Sequence, residues 1–494
     1  MKMLSLSALA LMALAAHSPA AAQDAVRIEG VTVIDPATRA VMTGQSVTVD
    51  DGLIAAIEPS AEADAAFDGR RIDGQGRYLI PGLMDMHVHT NVSFVAETSF
   101  ALFLAHGVTG VRDMAGDCWE PQSGPFLCRE DLLRYDAQIR AGEIPGPDLL
   151  RLSSAFVQSN PTGHLPPDHD PLYTPATAEE GRALVDYLHA RGVDLIKLYH
   201  AISSAALDGV MQRAGELDLE VSGHIPFVVS AGEASRLGMR TIEHATDIVT
   251  DCSGFGETYR ARIRAVLAGE AEAEWPDDAE RLSQTVATFD PDRCQELMAE
   301  LAENGTYFVP THGTREMDMR AGEPGYRAHP ARIYLLEPHL QEWERDLDRT
   351  AGAPEEVRSH YGDFYRLGLQ VTAIAHAAGV PVMLGTDAND TMIVPGISVH
   401  EELARLVEAG LSPMDALRAA THTPARYLGR EDQLGTIRVG AEADLLLLAD
   451  DPLVEIGHTR GIEAVISNGR VYDRAALDGL LADVERRVGS RGQE

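Results

Sequence analysis

Two patterns of hydrophobic and polar residues divide this chain into a β-rich part at each end and a repeating part between them. Near the amino end, residues 31–35 and 46–54 alternate apolar and polar side chains and are separated by turn residues. Similar segments return at 443–448 and 465–472, where Asn468 and the following glycine form a strong hairpin signal. We therefore expect strands from both chain ends to form one small β-sandwich domain.

Between these ends, short apolar runs alternate with amphipathic stretches of helical period, which is the pattern of parallel β-α units. Eight runs are predicted as strands: 82–89, 107–114, 148–155, 194–199, 220–225, 240–245, 306–312 and 380–388. Eight such units close a (β/α)8 TIM-type barrel, whose active site lies at the carboxyl ends of the strands. The predicted fold class is thus α/β, a barrel with a small β-sandwich domain formed from both chain ends.

The domain boundaries follow from this pattern. Residues 23–79 and 425–494 are assigned to the two parts of the sandwich domain and the tail, and residues 80–424 to the barrel. Two long stretches, 116–147 and 247–304, interrupt the barrel and are expected to shape a pocket or lid.

Residues 1–22 have the order of a secretory signal peptide. Lys2 is followed by an apolar run too short to span a bilayer, and small residues precede a cleavage position near Ala22. We expect a secreted protein, located in the periplasm of a bacterium.

Charge narrows the classes of partner. The chain has 41 basic and 76 acidic residues, which give a formal net charge of −35. This charge argues against binding to a phosphate backbone or to an anionic membrane surface. The expected partner is a small-molecule substrate, with no nucleic acid and no membrane, and the sequence leaves a homo-oligomer open.

Four cysteines follow the signal segment, an even number that suits a compartment permitting disulfides: Cys118, Cys128, Cys252 and Cys294. Their order favours two local bridges, Cys118 to Cys128 and Cys252 to Cys294, although four cysteines allow three pairings.

Six side chains that can bind metal lie in the predicted strands or at their carboxyl ends: His87, His89, Lys197, His224, His244 and Asp387. A strand sends alternate side chains to one face, so the two imidazoles of a His-Val-His triplet point together. Neutral imidazoles suit a divalent metal, but an isolated His-x-His is weak evidence. The ordered set of six predicts a hydrolase with a two-metal centre at the mouth of the barrel.

A wider set of motifs covers nearly the whole chain after the signal segment. They stand at 79–89, 107–114, 196–199, 223–226, 241–244, 384–388 and 440–445. With these motifs the chain resembles the amidohydrolase superfamily, specifically its metal-dependent dipeptidase and imidazolonepropionase-like branch. The set is specific for the superfamily and much less specific for substrate.

The resemblance implies that His87 and His89 hold the more buried of two divalent metals, and that His224 and His244 hold the more exposed one. Lys197 would be carboxylated, because a carbamate offers two anionic oxygens that can bridge two cations. Zinc is the default metal, although manganese, cobalt or iron would fit the same ligands.

Asp387 would be both a ligand of the buried metal and the catalytic proton shuttle. Asp387 and Lys197 each also have a structural alternative. Asp387 could be a helix N-cap, and Lys197 could be an amine that reaches the surface at a strand end. Tyr199, His200 and His312 are candidates for substrate binding, and each is equally compatible with a packed residue.

Together these features predict a secreted binuclear metal-dependent amidohydrolase that cleaves a dipeptide or N-acyl amino acid by attack of a metal-bridging hydroxide. After Lys197 the chain has Tyr199, His200 and Ala201 in place of the small, glycine-rich run that is common there in the family, which puts a simple prolidase in doubt. An esterase, lactonase or phosphotriesterase is the alternative on the same centre. A non-catalytic secreted binding protein is a remote alternative, which would be expected to lack at least one ligand.

Overall fold

The computed structural model describes residues 25–93, 95–119, 126–159, 173–270 and 272–491. The predicted signal peptide therefore lies outside the described residues. None of the described helices has the length and apolar character needed to cross a bilayer.

The strands are β1 Val26–Asp35, β2 Ala40–Asp50, β3 Leu53–Pro59, β4 Arg70–Asp73, β5 Tyr78–Pro81, β6 Leu83–Val88, β7 Val108–Asp113, β8 Asp148–Leu152, β9 Leu195–Leu198, β10 Glu220–Gly223, β11 Thr241–Glu243, β12 Tyr307–Val309, β13 Leu445–Leu448, β14 Ile462–Ser467 and β15 Arg470–Asp473. The helices are α1 Ala96–Ala105, α2 Arg129–Ala141, α3 Ala178–Arg191, α4 Ser204–Glu216, α5 Ala231–Arg236, α6 Ala245–Asp251, α7 Gly256–Leu267, α8 Asp278–Thr288, α9 Pro291–Asn304, α10 His312–Arg320, α11 Pro324–Arg327, α12 Glu337–Ala351, α13 Glu355–Arg358, α14 Tyr361–Ala377, α15 Ile397–Glu408, α16 Pro413–Ala419, α17 His422–Tyr427 and α18 Arg474–Arg491. Two short 3-10 helices span Pro330–Tyr334 and Ile456–Arg460.

Strands from both chain ends form one eight-stranded sheet. Its order is β15-β14-β13-β5-β1-β2-β3, and β4 pairs with β1 off this path. The two ends meet where β5 pairs antiparallel with β13, with Ile80 opposite Leu446. Ile28, Val33 and Leu447 are among the buried side chains of this sheet's own hydrophobic cluster. The two chain ends thus share one sheet, and its packing as a two-layer sandwich stays a prediction.

Seven of the eight predicted barrel strands are present, each shorter than predicted. They form two parallel sheets, β6-β7-β8 and β9-β10-β11-β12. A parallel bridge between Ser153 and Leu195 joins the end of β8 to β9. The fold is therefore mixed α/β. Several candidate site residues directly follow the carboxyl ends of these strands.

The prediction of an eighth strand at 380–388 is wrong, because no strand is assigned there and only single bridges occur. Val382 bridges to Phe308 and Ala388 to Val88, so the segment contacts strands from both sheets. The backbone N–H of Leu384 donates to Ala419 outside the sheets. A positive φ of 70° at Asp387 also breaks the extended conformation. A regular closed barrel consequently stays a prediction.

The long stretch 247–304, predicted as an insertion, is mostly helical. It contains most of α6 and the whole of α7, α8 and α9. Helix α9 begins where the Asp290 side chain accepts the N–H of Asp292, and it ends before Gly305, whose φ is 70°. Helix formation is therefore explained at both ends by local sequence.

Two disulfides fix loops near the parallel sheets. Cys252 at the end of α6 is joined to Cys294 in α9, and Cys118 is joined to Cys128 at the start of α2. These are the two pairings that sequence order favours. No described cysteine is free.

Candidate metal centre and substrate cavity

Three of the predicted ligands converge around one point. His87 belongs to β6, His89 follows that strand, and Asp387 lies in the irregular segment beside it. The Oδ1 of Asp387 is 2.8 Å from Nε2 of His89 and 3.4 Å from Nε2 of His87. One nitrogen of each histidine and one carboxylate oxygen all lie within 4.8 Å of one another. This donor set suits a divalent cation.

A second pair of imidazoles lies next to the first. His224 follows β10 and His244 follows β11, and their ring centroids are 4.4 Å apart. The ring of His244 is 4.8 Å from that of His87. Nδ1 of His224 and Nε2 of His244 are buried and have no hydrogen-bond partner among the described residues. Because buried polar atoms normally have partners, these two orphaned nitrogens fit a bound metal.

Lys197 lies in β9, fully buried against the same cluster. Its Nζ is 3.2 Å from Nε2 of His87. Burial lowers the pKa of this amine to about 8, despite the opposing effect of the nearby Glu243 and Asp387 carboxylates. The chain contains two lysines, Lys2 and Lys197, so this is the sole lysine after the predicted signal segment. The lowered pKa increases the fraction of neutral amine, which is the form that reacts with carbon dioxide to give a carbamate.

Glu243 supports the cluster, and the sequence interpretation gave this residue no role. The Nδ1 of His87 donates to Oε2 of Glu243 at 2.7 Å, while Arg112 donates to its Oε1 at 2.8 Å. All three side chains are fully buried. A proton held on Nδ1 leaves the Nε2 lone pair of His87 directed at the ligand cluster. The available signal was a glutamate inside a buried apolar strand, which requires a partner.

Backbone strain concentrates at the same place. His244, Thr311, Asp387 and Asn389 all have positive φ, between 46° and 80°. This left-handed region is costly for residues other than glycine and clusters at functional sites. The Oγ1 of Thr311 is 2.7 Å from Nδ1 of His244, so one strained residue orients another.

Burial favours the neutral form of three of these imidazoles, His87, His224 and His244. It lowers the pKa of His244 to about 4 and the pKa values of His87 and His224 well below their ordinary value, with further lowering by neighbouring cationic groups. Neutral imidazole is the form that binds metal.

A cavity of about 600 Å³ opens beside this cluster. His89, His224, His244 and Asp387 line it, together with Tyr199. The Tyr199 ring stacks on Phe156 with centroids 5.1 Å apart. A cavity of this size accommodates a small-molecule substrate.

The other two substrate candidates lie outside the cavity wall. His200 packs against Phe227 and its Nε2 is 3.1 Å from Asp247, so it supports His224 from behind. His312 begins α10 instead of ending a strand, and its Nε2 is 3.0 Å from the hydroxyl of Thr372. The prediction of His312 at a strand end is wrong because β12 stops at Val309.

Comparisons with known proteins show the family to which the chain belongs. The family model described as "Amidohydrolase family" matches residues 356–472. An imidazolonepropionase from Chromobacterium violaceum is 44% identical over 463 residues, which cover 90% of this chain and 95% of that protein.

Solved structures show a similar fold. A bottromycin amidohydrolase aligns with a TM-score of 0.69 and 23% identity, over 94% of this chain and 90% of its own. A Xaa-Pro dipeptidase with bound methionine aligns with a TM-score of 0.64 and 21% identity, over 91% of this chain and 100% of its own.

Proposed function

Because this chain belongs to the amidohydrolase superfamily, we propose that it is a secreted, binuclear metal hydrolase that cleaves a dipeptide or an N-acyl amino acid. Its membership makes it a hydrolase that acts on C–N bonds. The metal centre, the export and the substrate class are the proposed part. The names of the related dipeptidase and bottromycin amidohydrolase support an amide substrate.

The main support for the proposal is that the six candidate ligands come together at one end of the parallel sheets. His87, His89 and Asp387 would hold one ion. The orphaned nitrogens of His224 and His244 would hold the second, with a carboxylated Lys197 shared between the two. When bound, the two ions, by default zinc, supply Lewis acidity, which polarises a carbonyl and lowers the pKa of water to about 7.

Protein side chains provide the remaining steps. Burial opposes ionisation of Asp387, but the adjacent His87 and the hydrogen bond with His89 hold its pKa well below the usual value. The ionised carboxylate can accept a proton from the attacking water and pass it to the leaving nitrogen. Glu243 fixes the orientation of His87, and Tyr199 covers one side of the cavity.

The architecture that we propose around this centre is a (β/α)8 barrel, residues 80–424, in which the irregular segment 380–388 closes the gap between the two sheets. Residues 23–79 and 425–494 would form the small β-sandwich domain with its tail. Two disulfides suit an oxidising compartment such as the periplasm, which supports export.

The metal content and the modification of Lys197 test the centre directly. After loading with zinc, we expect about two ions per chain by elemental analysis. Because Lys197 is the sole lysine after residue 22, growth with ¹³C-bicarbonate should give one side-chain carbamate signal by NMR. Lys197→Ala should lose that signal, the metal and the activity together. A variant that keeps metal and activity would refute the shared-ligand role.

A matched substrate panel tests the reaction. Product release should be fastest from dipeptides and N-acyl amino acids, compared with ester, lactone and phosphotriester analogues of equal size. Turnover confined to the esters, lactones or phosphotriesters would contradict the amide assignment and leave the metal centre intact.

A further inference from the structure

The cavity beside the candidate metal centre has acidic walls. Its described lining includes five carboxylates and neither lysine nor arginine: Asp117, Glu342, Asp346, Asp387 and Asp390. The internal segments that the structure leaves undescribed also contain no lysine or arginine in their sequence. No lysine or arginine therefore belongs to the described lining beside these carboxylates, and their partners must come from behind the wall or from a bound group.

These carboxylates differ in how well they are compensated. Asp117 is paired with Arg191 from behind the wall, with an N–O distance of 2.6 Å. Among the described residues Asp346 is paired only with Arg349, which is 76% exposed, and such surface pairs stabilise weakly. Glu342 and Asp390 form no ion pair with any described residue. Glu342 and Asp346 on α12 thus leave negative charge on the wall, whereas burial and the neighbouring Asp387 raise the pKa of Asp390 to about 7.

His339 gives an independent indication of what this wall binds. Its Nε2 donates to the carbonyl oxygen of Asn389 at 3.0 Å, so the proton of the neutral ring lies on Nε2. Nδ1 is therefore a hydrogen-bond acceptor, and it has no partner among the described residues although His339 is only 7% exposed. An unpaired buried acceptor in a cavity wall calls for a ligand that donates N–H groups.

Two tryptophans belong to the same lining, but Trp343 offers no free face to a ligand. It packs edge-on against His339, with ring centroids 5.5 Å apart, and is only 1% exposed. Trp119 stacks on Tyr173, with ring centroids 4.6 Å apart, elsewhere in the lining. The carboxylates and the lone-pair acceptor therefore carry the match to an ammonium or guanidinium group.

We propose that this wall, formed by Glu342, Asp346, Asp390 and His339, is a subsite for a cationic side chain of the substrate. The substrate would be a dipeptide or N-acyl amino acid that carries an alkylammonium or guanidinium group. This inference rests on the proposed function and narrows its substrate class.

Arginine and citrulline provide a matched pair, because they have nearly the same shape and differ in charge. Two pairs of dipeptides would be compared: Ala-Arg with Ala-citrulline, and Arg-Ala with citrulline-Ala. In at least one pair we expect kcat/KM to be about tenfold higher for the arginine peptide, mainly because its KM is lower. Glu342→Gln and Asp346→Asn should each reduce this preference with metal content unchanged. Asp348→Asn, an exposed carboxylate of the same helix that is absent from the wall, should retain it. Equal turnover of arginine and citrulline peptides, or a preference that survives both wall substitutions, would overturn the subsite.

A binding measurement separates this inference from the proposed reaction. Argininamide should bind the zinc-loaded protein in calorimetry more tightly than citrullinamide, and Glu342→Gln should reduce the difference. If neutral amides are cleaved but the two probes bind equally, the subsite fails and the amidase activity stands. If no amide is cleaved and argininamide still binds selectively, the proposed reaction fails and the cation subsite stands.

Discussion

Glu243 joins a buried cation to a candidate metal ligand, so one carboxylate serves two neighbours. Replacing it with glutamine would leave the Arg112 guanidinium without its anionic partner. It would also weaken the hydrogen bond that Nδ1 of His87 donates to this side chain. Breaking a buried ion pair costs about 3–5 kcal/mol. Loss of an outer partner of a metal ligand weakens metal affinity by about 10–100-fold.

Glu243→Gln should therefore lower both the free energy of unfolding and the affinity for zinc, measured by urea denaturation and by chelator competition. Glu402→Gln is the matched control, because Glu402 is equally buried and pairs with Arg405 without contacting the six candidate ligands. The control should lose stability and keep zinc affinity. Unchanged zinc affinity in Glu243→Gln would show that the carboxylate has no role in orienting His87.

The six candidate ligands could be predicted at the residue scale, because each lies within or directly after an apolar run. Their approach in space agrees with that pattern, since carboxyl ends of parallel strands share one edge. Glu243 could not be assigned, because its position beside His244 does not reveal that its side chain reaches back to His87. The role of a buried charged residue depends on contacts distant in sequence, here 156 positions away.

At the scale of elements, the two disulfides tie different parts of the molecule. Cys252–Cys294 encloses α7 and α8 and lies in the hydrophobic core, whereas Cys118 lines the cavity beside Asp117. Loop entropy assigns a stabilisation of about 4 kcal/mol to the 42-residue separation and about 3 kcal/mol to the 10-residue separation. Their effects on stability and on the cavity should differ.

Cys252→Ser with Cys294→Ser should lower the thermal midpoint more than Cys118→Ser with Cys128→Ser, measured by calorimetry at one protein concentration. The second double variant should change KM more than the first, because it loosens a cavity wall. Each double variant is the control for the other. The reverse ranking in both measurements would contradict this division of roles.

The positions of seven parallel strands could be predicted from apolar runs, but the irregular conformation of segment 380–388 could not. Its alternation predicts an extended strand, whereas Gly385 brings the backbone against His87 and Val309 so closely that a Cβ would lie 2.4 Å from the valine side chain. The helices of 247–304 were also missed as elements, since an acidic, alanine-rich stretch reads equally well as a loop. Close packing decides both cases, and packing is not visible in local periodicity.

At the scale of the whole molecule, Asp444 makes stability depend on pH at the place where the two chain ends meet. Its backbone oxygen accepts the N–H of Gly82, and burial beside Asp148 and Glu442 raises the pKa of its carboxyl to about 8. The unfolded value is about 4, so the folded state binds this proton more tightly. Its contribution to stability is full below about pH 4 and is lost as pH rises through about 8.

Asp444→Asn should therefore flatten the fall of the thermal midpoint between pH 5 and pH 8, measured by differential scanning calorimetry. Asp432→Asn, whose side chain is 80% exposed, should keep the wild-type dependence. An unchanged slope in Asp444→Asn would assign the pH dependence to other groups.

The shared eight-stranded sheet also sets an order of events during synthesis. Strands β1 to β5 leave the ribosome first, but β5 pairs with β13, which follows it by more than 360 residues. Until the last part of the chain emerges, β5 lacks its β13 neighbour and presents an unpaired edge to other chains. Because the strands of the parallel sheets all precede β13, we expect completion of the eight-stranded sheet to be a late step of folding. A chain stopped before residue 445 should therefore associate through that edge.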